Sequence, residues 1–352
     1  MSSKLKQLFA TFWLSLLLTI IIAGALAYYG GVSYFSVFLI LVAIEITFSF
    51  DNAVVNSQVL KRLSHFWQTI FLSVGIIIAV FVVRFLLPIV IVALATDSGL
   101  GHVVDLAIYS PDDYAHLVAE SSPAINAFGG IFLLLVGFSF FISRDKTEHW
   151  LRGIEHGFAA LARLRGAAIV IVAIVLLITA LVLPAGVATE VLFAGLIGLG
   201  LYILLTSFNG YFEKRQNKAV AQTGIAAFVS FIYLEALDAS FSLDGVVGAL
   251  AITSNIVLVV AGLGVGAIWV RSLTIHLLRS GTLSDYRYLV HGAHYAILVL
   301  GAIMIAKLYD VEPPDWLTGT IGIMFIVAAV ISSIIIERRI GQTTFELSEK
   351  AE

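Results

Sequence analysis

The 352 residues include no cysteine. Disulfides, thiolate metal ligands and cysteine nucleophiles are excluded together. Charge is nearly as scarce. Only 12% of the residues are Asp, Glu, Lys or Arg, about half the ~25% of an ordinary soluble domain. There is no basic stripe interleaved with aromatics and the net charge is only −3, so nucleic acid is not an expected partner. The apolar run 8–28 behind Lys4 and Lys6 lacks a small-residue cleavage site. It reads as a retained first helix rather than a signal peptide. Hydrophobic residues fill the chain instead, at 60% of the total.

A helix needs about 20 apolar residues to cross a bilayer. By that rule the sequence predicts an all-α polytopic membrane protein with ten spans. They fall near 8–29, 32–60, 67–95, 124–143, 167–183, 187–208, 223–251, 255–279, 288–309 and 316–336. The fifth is short and is joined to the sixth only through Pro184, Ala185 and Gly186, so nine is the alternative count. Lys and Arg are retained on the cytoplasmic side. With both termini inside, the inner loops hold Lys61 and Arg62, the arginines of 144–165, the basic residues of 214–218, and Arg279 with Arg287. Lys307 alone lies outside. The expected location is the plasma membrane, of the bacterial inner type, with lipid as the surrounding partner. Residues 96–123 form an outer loop with five acids and no Lys or Arg, expected to be solvated. Residues 144–166 alternate basic and apolar positions and predict an amphipathic helix on the inner surface.

Two segments spell one unusual message. Residues 45–55 carry Glu45, Asp51 and Asn52, and residues 238–248 carry Asp238, Asp244 and Gly245, each inside an apolar run. An ionised carboxylate in hydrocarbon costs at least ~2.5 kcal/mol, so each needs a cation or a proton. The repeat extends further: 75–84, ending in Arg84, resembles 262–271, ending in Arg271. Five spans per half is an odd number, so the halves 1–183 and 184–352 would enter the membrane from opposite sides. That is the inverted-repeat plan of many secondary transporters, with ion sites near the midplane.

Helical spacing puts Glu45, Ser49 and Asn52 on one face and Asp51 on another. In the second copy Glu235, Asp238, Ser242 and Gly245 share a face, and Gly245 is a plausible point for the helix to open. Carboxylate, amide and hydroxyl oxygens without sulfur suit hard divalent cations such as Mg²⁺, Ca²⁺ and Mn²⁺. The expected metal-binding set is Glu45, Asp51, Asn52, Glu235, Asp238 and Asp244. Secondary candidates are Ser49, Ser242, Asn56, Arg84, Arg271, His291 and His294. Five acids against two arginines leave an excess that one divalent ion does not cancel, so protons enter as a coupling ion. Arg84 and Arg271 could equally pair with the acids to hold the bundle together.

At these residues the chain resembles the TerC family of integral membrane proteins, grouped with the LysE-type exporters, as a divergent branch. The resemblance rests on Glu45 with Asp51 and Asn52; on Glu235, Asp238 and Asp244; and on the segment Thr253, Ser254, Asn255, Ile256. It implies export of a divalent cation, Mn²⁺ above others, as substrate, with no organic cofactor and no enzyme activity. Gly245 stands where the family commonly has Ser. Two other readings compete. A non-transporting scaffold in metal homeostasis would use the same residues. An intramembrane aspartyl protease would need two Asp, but Phe241-Ser242-Leu243 precedes Asp244 instead of the Gly-x-Gly such enzymes carry. The sequence does not disclose the oligomeric state.

Overall fold

The computed structural model describes residues 3–349 apart from 144, 145, 147, 165, 214–220, 281–284 and 312. Helices carry the fold, as hydrocarbon requires of a backbone that must satisfy its own hydrogen bonds. They are α1 (Ser3–Phe48), α2 (Phe50–Leu60), α3 (His65–Leu72), α4 (Val74–Ile77), a π-helical segment (Ile78–Leu86), α5 (Leu87–Ala95), α6 (Leu100–Tyr109), α7 (Pro111–Glu120) and α8 (Ser122–Phe141). Then follow α9 (Arg152–Leu161), α10 (Ala167–Val182), α11 (Ala185–Glu213), α12 (Gly224–Ile252), α13 (Ile256–Ser280), α14 (Leu289–Lys307) and α15 (Asp315–Glu349).

Among the described residues, eight stretches are long and apolar enough to cross a membrane: Leu8–Phe48, His65–Ala95, Ser122–Phe141, Ala185–Phe208, Gly224–Leu250, Ile256–Ser280, Leu289–Lys307 and Thr320–Arg338. The chain is an all-α polytopic membrane protein. The expected first two spans are merged in α1, but Gly31 interrupts it at φ 66, ψ −158, a backbone that glycine tolerates and other residues rarely adopt. Ala23, Phe38 and Val42 share one buried cluster with Val265. A straight helix would hold Ala23 and Val42 about 28 Å apart at ~1.5 Å per residue, so α1 doubles back at Gly31. Both arms lie on α13: Ser15 Oγ is 2.8 Å from Ser272 Oγ, and Leu41 abuts Gly262.

Segment 96–123 is not the solvated loop expected. It folds into α6 and α7, which bury Val103, Ala107, Tyr114 and Val118 against Ile89 and Val92 of α5. The i, i+4 spacing of each pair makes one face apolar, and Asp105, Asp112, Asp113 and Glu120 stay on the exposed side.

The bundle centre shows an exchange of partners. Helix α13 packs on α2 and the π-helical segment packs on α12, while α14 packs on α2 and α8 on α12. Glycines permit the closest approaches. A β-carbon at Gly266 would lie 2.5 Å from Glu45 Cβ, and one at Gly75 would lie 2.4 Å from Arg271 Nη1 and 2.8 Å from Glu235 Oε1. Small residues of this kind let backbones meet where apolar burial supplies no driving force.

Candidate functional site

The first acidic motif sits at a joint. Ser49, at φ −103 and ψ 15, separates α1 from α2, and the helical face of Glu45, Ser49 and Asn52 is preserved across it. Ser49 Oγ donates to Glu45 Oε1 at 2.9 Å, and Asn52 Nδ2 donates to Asp238 Oδ1 of the second motif at 3.1 Å. The two motifs therefore meet.

Two arginines join them. Arg84 Nη2 donates to Glu45 Oε1 at 2.5 Å. Its Nη1 reaches Asp238 Oδ2 at 3.4 Å and the Ala79 carbonyl at 2.8 Å. Arg271 forks onto Glu235, with Nη2 to Oε2 at 2.8 Å and Nη1 to Oε1 at 3.1 Å. It also donates to the Phe71 carbonyl at 2.9 Å, lies 4.2 Å from the centre of the Phe71 ring, and reaches Asp238 Oδ2 at 3.5 Å. All five charged residues are buried, none more than 6% exposed. Three carboxylates against two guanidiniums leave one formal negative charge. Glu45 and Glu235 each have a close arginine, whereas Asp238 is held only by the two longest contacts and by Asn52. It is the carboxylate freest to change partner.

Asp51 stands apart. It is 4% exposed, its Oδ1 accepts the Asn52 backbone N–H at 3.0 Å, and no cation pairs with it among the described residues. Its neighbour is Gly322 of α15, where a β-carbon would lie 3.7 Å from the Asp51 carboxyl carbon. On α2 and α12, Asn52 Oδ1, Asn56 Oδ1 and Ser242 Oγ are buried without a hydrogen-bond partner among the described residues. Buried polar atoms are paired in all but a few cases per domain. Asp244 lies on the helical backbone of α12, but its side chain falls outside the described residues.

One expectation is corrected here. Helix α12 runs unbroken from Gly224 to Ile252, so the backbone does not open at Gly245. A β-carbon there would meet Glu45 Oε2 at 3.5 Å, an ordinary van der Waals contact, so this stretch of α12 passes directly against a carboxylate of the other motif. The joint lies at Ser49 instead. Among the described residues, no three His, Asp or Glu side chains are arranged to hold a metal ion. The segment 253–256 has a structural role: Asn255 Oδ1 accepts the Val257 and Leu258 N–H groups at 3.0 and 3.3 Å, capping the start of α13.

His291 and His294 lie in the first turns of α14, where neither bonds an acid of the two motifs among the described residues. His294 stacks on Phe140 at 3.8 Å, and His291 Nε2 lies 2.9 Å from the Glu148 carbonyl. They adjoin a centre that the sequence reading missed. Glu155 of α9 is fully buried. It accepts Lys146 Nζ at 2.7 Å, the Leu151 N–H at 3.1 Å and the Tyr295 hydroxyl at 3.2 Å, clasping the amphipathic segment to α14. Its spacing from Phe158 on the apolar face of α9 was the available signal. Burial pushes the Glu155 carboxyl up, but Lys146 and the backbone N–H of Leu151 outweigh it and hold the group below its ordinary value of 4.5. A carboxyl lowered in the folded state stabilises fully above its unfolded pKa and loses that contribution as pH falls through the folded one. The part of the protection of 148–155 from proteolysis that Glu155 supplies is therefore expected to be lost as pH falls below ~4.5. Glu155→Gln should remove that dependence. Glu190 is a second missed acid, with a buried Oε1 that has no hydrogen-bond partner among the described residues.

A family model described as "Protein of unknown function (DUF475)" matches residues 50–340. No curated protein and no solved structure matches the chain. The resemblance to TerC proteins rests on the motif residues alone.

Proposed function

The chain belongs to the DUF475 family of proteins of unknown function, and from that starting point we propose that it is a membrane transporter of a hard divalent cation. The carrying observation is Asp51, a buried carboxylate with no cationic partner among the described residues, together with three buried oxygens on the two motif helices that have no hydrogen-bond partner among those residues. Such an acid within a span calls for a cation or a proton. Oxygen donors without sulfur suit Mg²⁺, Ca²⁺ and Mn²⁺ alike. The preference for Mn²⁺, and for export, comes from the TerC resemblance.

In this reading Asp51, Asn52, Asn56 and Ser242 receive the substrate cation, with Asp244 from the second motif. Asp238, the loosest partner of both arginines, turns toward it when it arrives. Arg84 and Arg271 keep Glu45 and Glu235 compensated throughout, so the empty site does not hold five bare acids. Protons on Asp51 or Asp238 neutralise the site on the return step and supply the coupling.

The reading extends to architecture. Counting α1 twice for its reversal at Gly31 and adding the 16-residue helix Ala167–Val182 raises the eight stretches to ten. The exchange of partners among α2, α12, α13, α14, α8 and the π-helical segment supports two inverted halves, which would rock against each other for alternating access. The plasma membrane with cytoplasmic termini remains the proposed setting. The arginine pairing of Glu45 and Glu235 favours a second reading, a non-transporting scaffold in metal homeostasis.

The test is Mn²⁺ flux in proteoliposomes. Saturable flux, inhibited by competing divalent cations and sensitive to a pH gradient, is expected. Absence of flux together with a co-purifying stoichiometric partner would favour the scaffold.

A further inference from the structure

A cavity of about 330 Å³ lies inside the bundle, enough for about ten waters at ~30 Å³ each. Its wall comes from five helices and the segment before α12, all near one end. It includes Gln58 and Arg62 near the end of α2, Thr206 late on α11, Gln222 ahead of α12, Tyr233 early on α12 and His294 early on α14. Polar side chains from separate spans meet inside a hydrocarbon-embedded bundle where water fills the space between them.

The cavity points at the acidic motifs. Its deepest α2 residue is Val55, which shares a face with Asn52 and Asp51, three and four positions deeper. On α12, Tyr233 lines it and Asp238 follows five residues on, about 7.5 Å at ~1.5 Å per residue. One turn of each helix separates the floor from the Asn52–Asp238 hydrogen bond. Asn56, whose Oδ1 lacks a partner among the described residues, belongs to that turn. The mouth is at the Arg62 end, where the Gln222 N–H donates to the Arg62 carbonyl at 2.8 Å and the Arg62 side chain is exposed. No carboxylate lines the wall among the described residues.

We propose that this cavity is the water-filled vestibule through which hydrated cations and protons reach the acidic motifs from the basic, Arg62 end. The assignment rests on the transporter reading. A wall without acids gives the cation no anionic place to lodge, so it keeps its hydration shell until it meets Asp51 and the unpartnered oxygens one turn deeper. The vestibule conducts and the motifs bind. The Asn52–Asp238 hydrogen bond closes the floor, and breaking it joins the two compartments.

The absence of cysteine makes a direct test available, because any introduced thiol is the only one. Gln58→Cys and Thr206→Cys probe the wall, Arg62→Cys marks the mouth, and Leu204→Cys, 53% exposed on α11, marks the outer face of the bundle. Each purified full-length variant is reconstituted in liposomes and treated from one side with a membrane-impermeant cationic methanethiosulfonate. Both wall thiols are expected to react from the same side as Arg62→Cys, at least about 100-fold faster than Leu204→Cys. Asn56→Cys should react from that side too, and 1 mM Mn²⁺ should slow it by about tenfold or more. Wall thiols as inert as Leu204→Cys, or reactive only from the other side, would overturn the vestibule. Labelling needs no transport. Reactive wall thiols in a protein without Mn²⁺ flux would leave the vestibule standing and remove the transport reading, and flux with inert thiols would do the reverse.

Discussion

Replacing Arg84 by methionine is expected to destabilise the folded chain by about 3–5 kcal/mol, the loss usual when one partner of a buried ion pair is removed. Arg84 is 1% exposed and bridges the motifs, with Glu45 on one side and Asp238 on the other. Without it both carboxylates face a low-dielectric interior with reduced compensation. Proton uptake limits the penalty, because a buried acid neutralises before it bears the full cost of burial. Arg84→Lys should fall between parent and methionine. One ammonium cannot reproduce a fork that spans Glu45, Asp238 and the Ala79 carbonyl at once. Adding Glu45→Gln to Arg84→Met removes one of the two orphaned charges and should recover a substantial part of the loss. The measurement is the temperature at which each variant ceases to elute as a single species from size exclusion in detergent. An Arg84→Met protein as heat-resistant as the parent would show that the bridge is not structural.

How far these contacts could be read in advance depends on which periodicity sets them. The common face of Glu45, Ser49 and Asn52 follows from the helical repeat, and the Ser49–Glu45 bond lies where that spacing puts it. The pairing of two arginines with the acids was weighed from the repeated 75–84 and 262–271 segments. Which acid each arginine takes was not legible, since Arg84 meets Asp238 at a sequence separation of 154 through tertiary packing. Gly245 read as a helix-opening residue because glycine is permissive. Its actual place, in van der Waals reach of Glu45 from another helix, depends on a neighbour that no local pattern names. Helices α6 and α7 were missed for a different reason. Each buries only two well-spaced residues, Val103 with Ala107 and Tyr114 with Val118, among acids and histidines, so composition spoke louder than period. The reversal at Gly31 agrees with the division of the first two spans.

Asp51→Asn is expected to move transport and stability in opposite directions. The amide is nearly isosteric, and its oxygen can still accept the Asn52 N–H that Asp51 Oδ1 now holds at 3.0 Å, so packing against Gly322 is retained. Removing a charge without a cationic partner among the described residues relieves a desolvation cost, and thermal stability should hold or rise. The same change deletes a buried carboxylate that, among the described residues, has no cationic partner and is left for the substrate. Mn²⁺ flux should fall by about 100-fold, or ~2.8 kcal/mol at ~1.4 kcal/mol per tenfold. Glu235→Gln is the contrasting case: it strips the Arg271 guanidinium of its closest carboxylate and should lower stability whatever it does to flux. A residue kept for structure loses stability when neutralised, whereas one kept for function pays for its charge in the resting protein. Flux by Asp51→Asn at the parent's rate would remove Asp51 from the transport path, and a drop in its thermal stability would mean that a structural partner holds its charge.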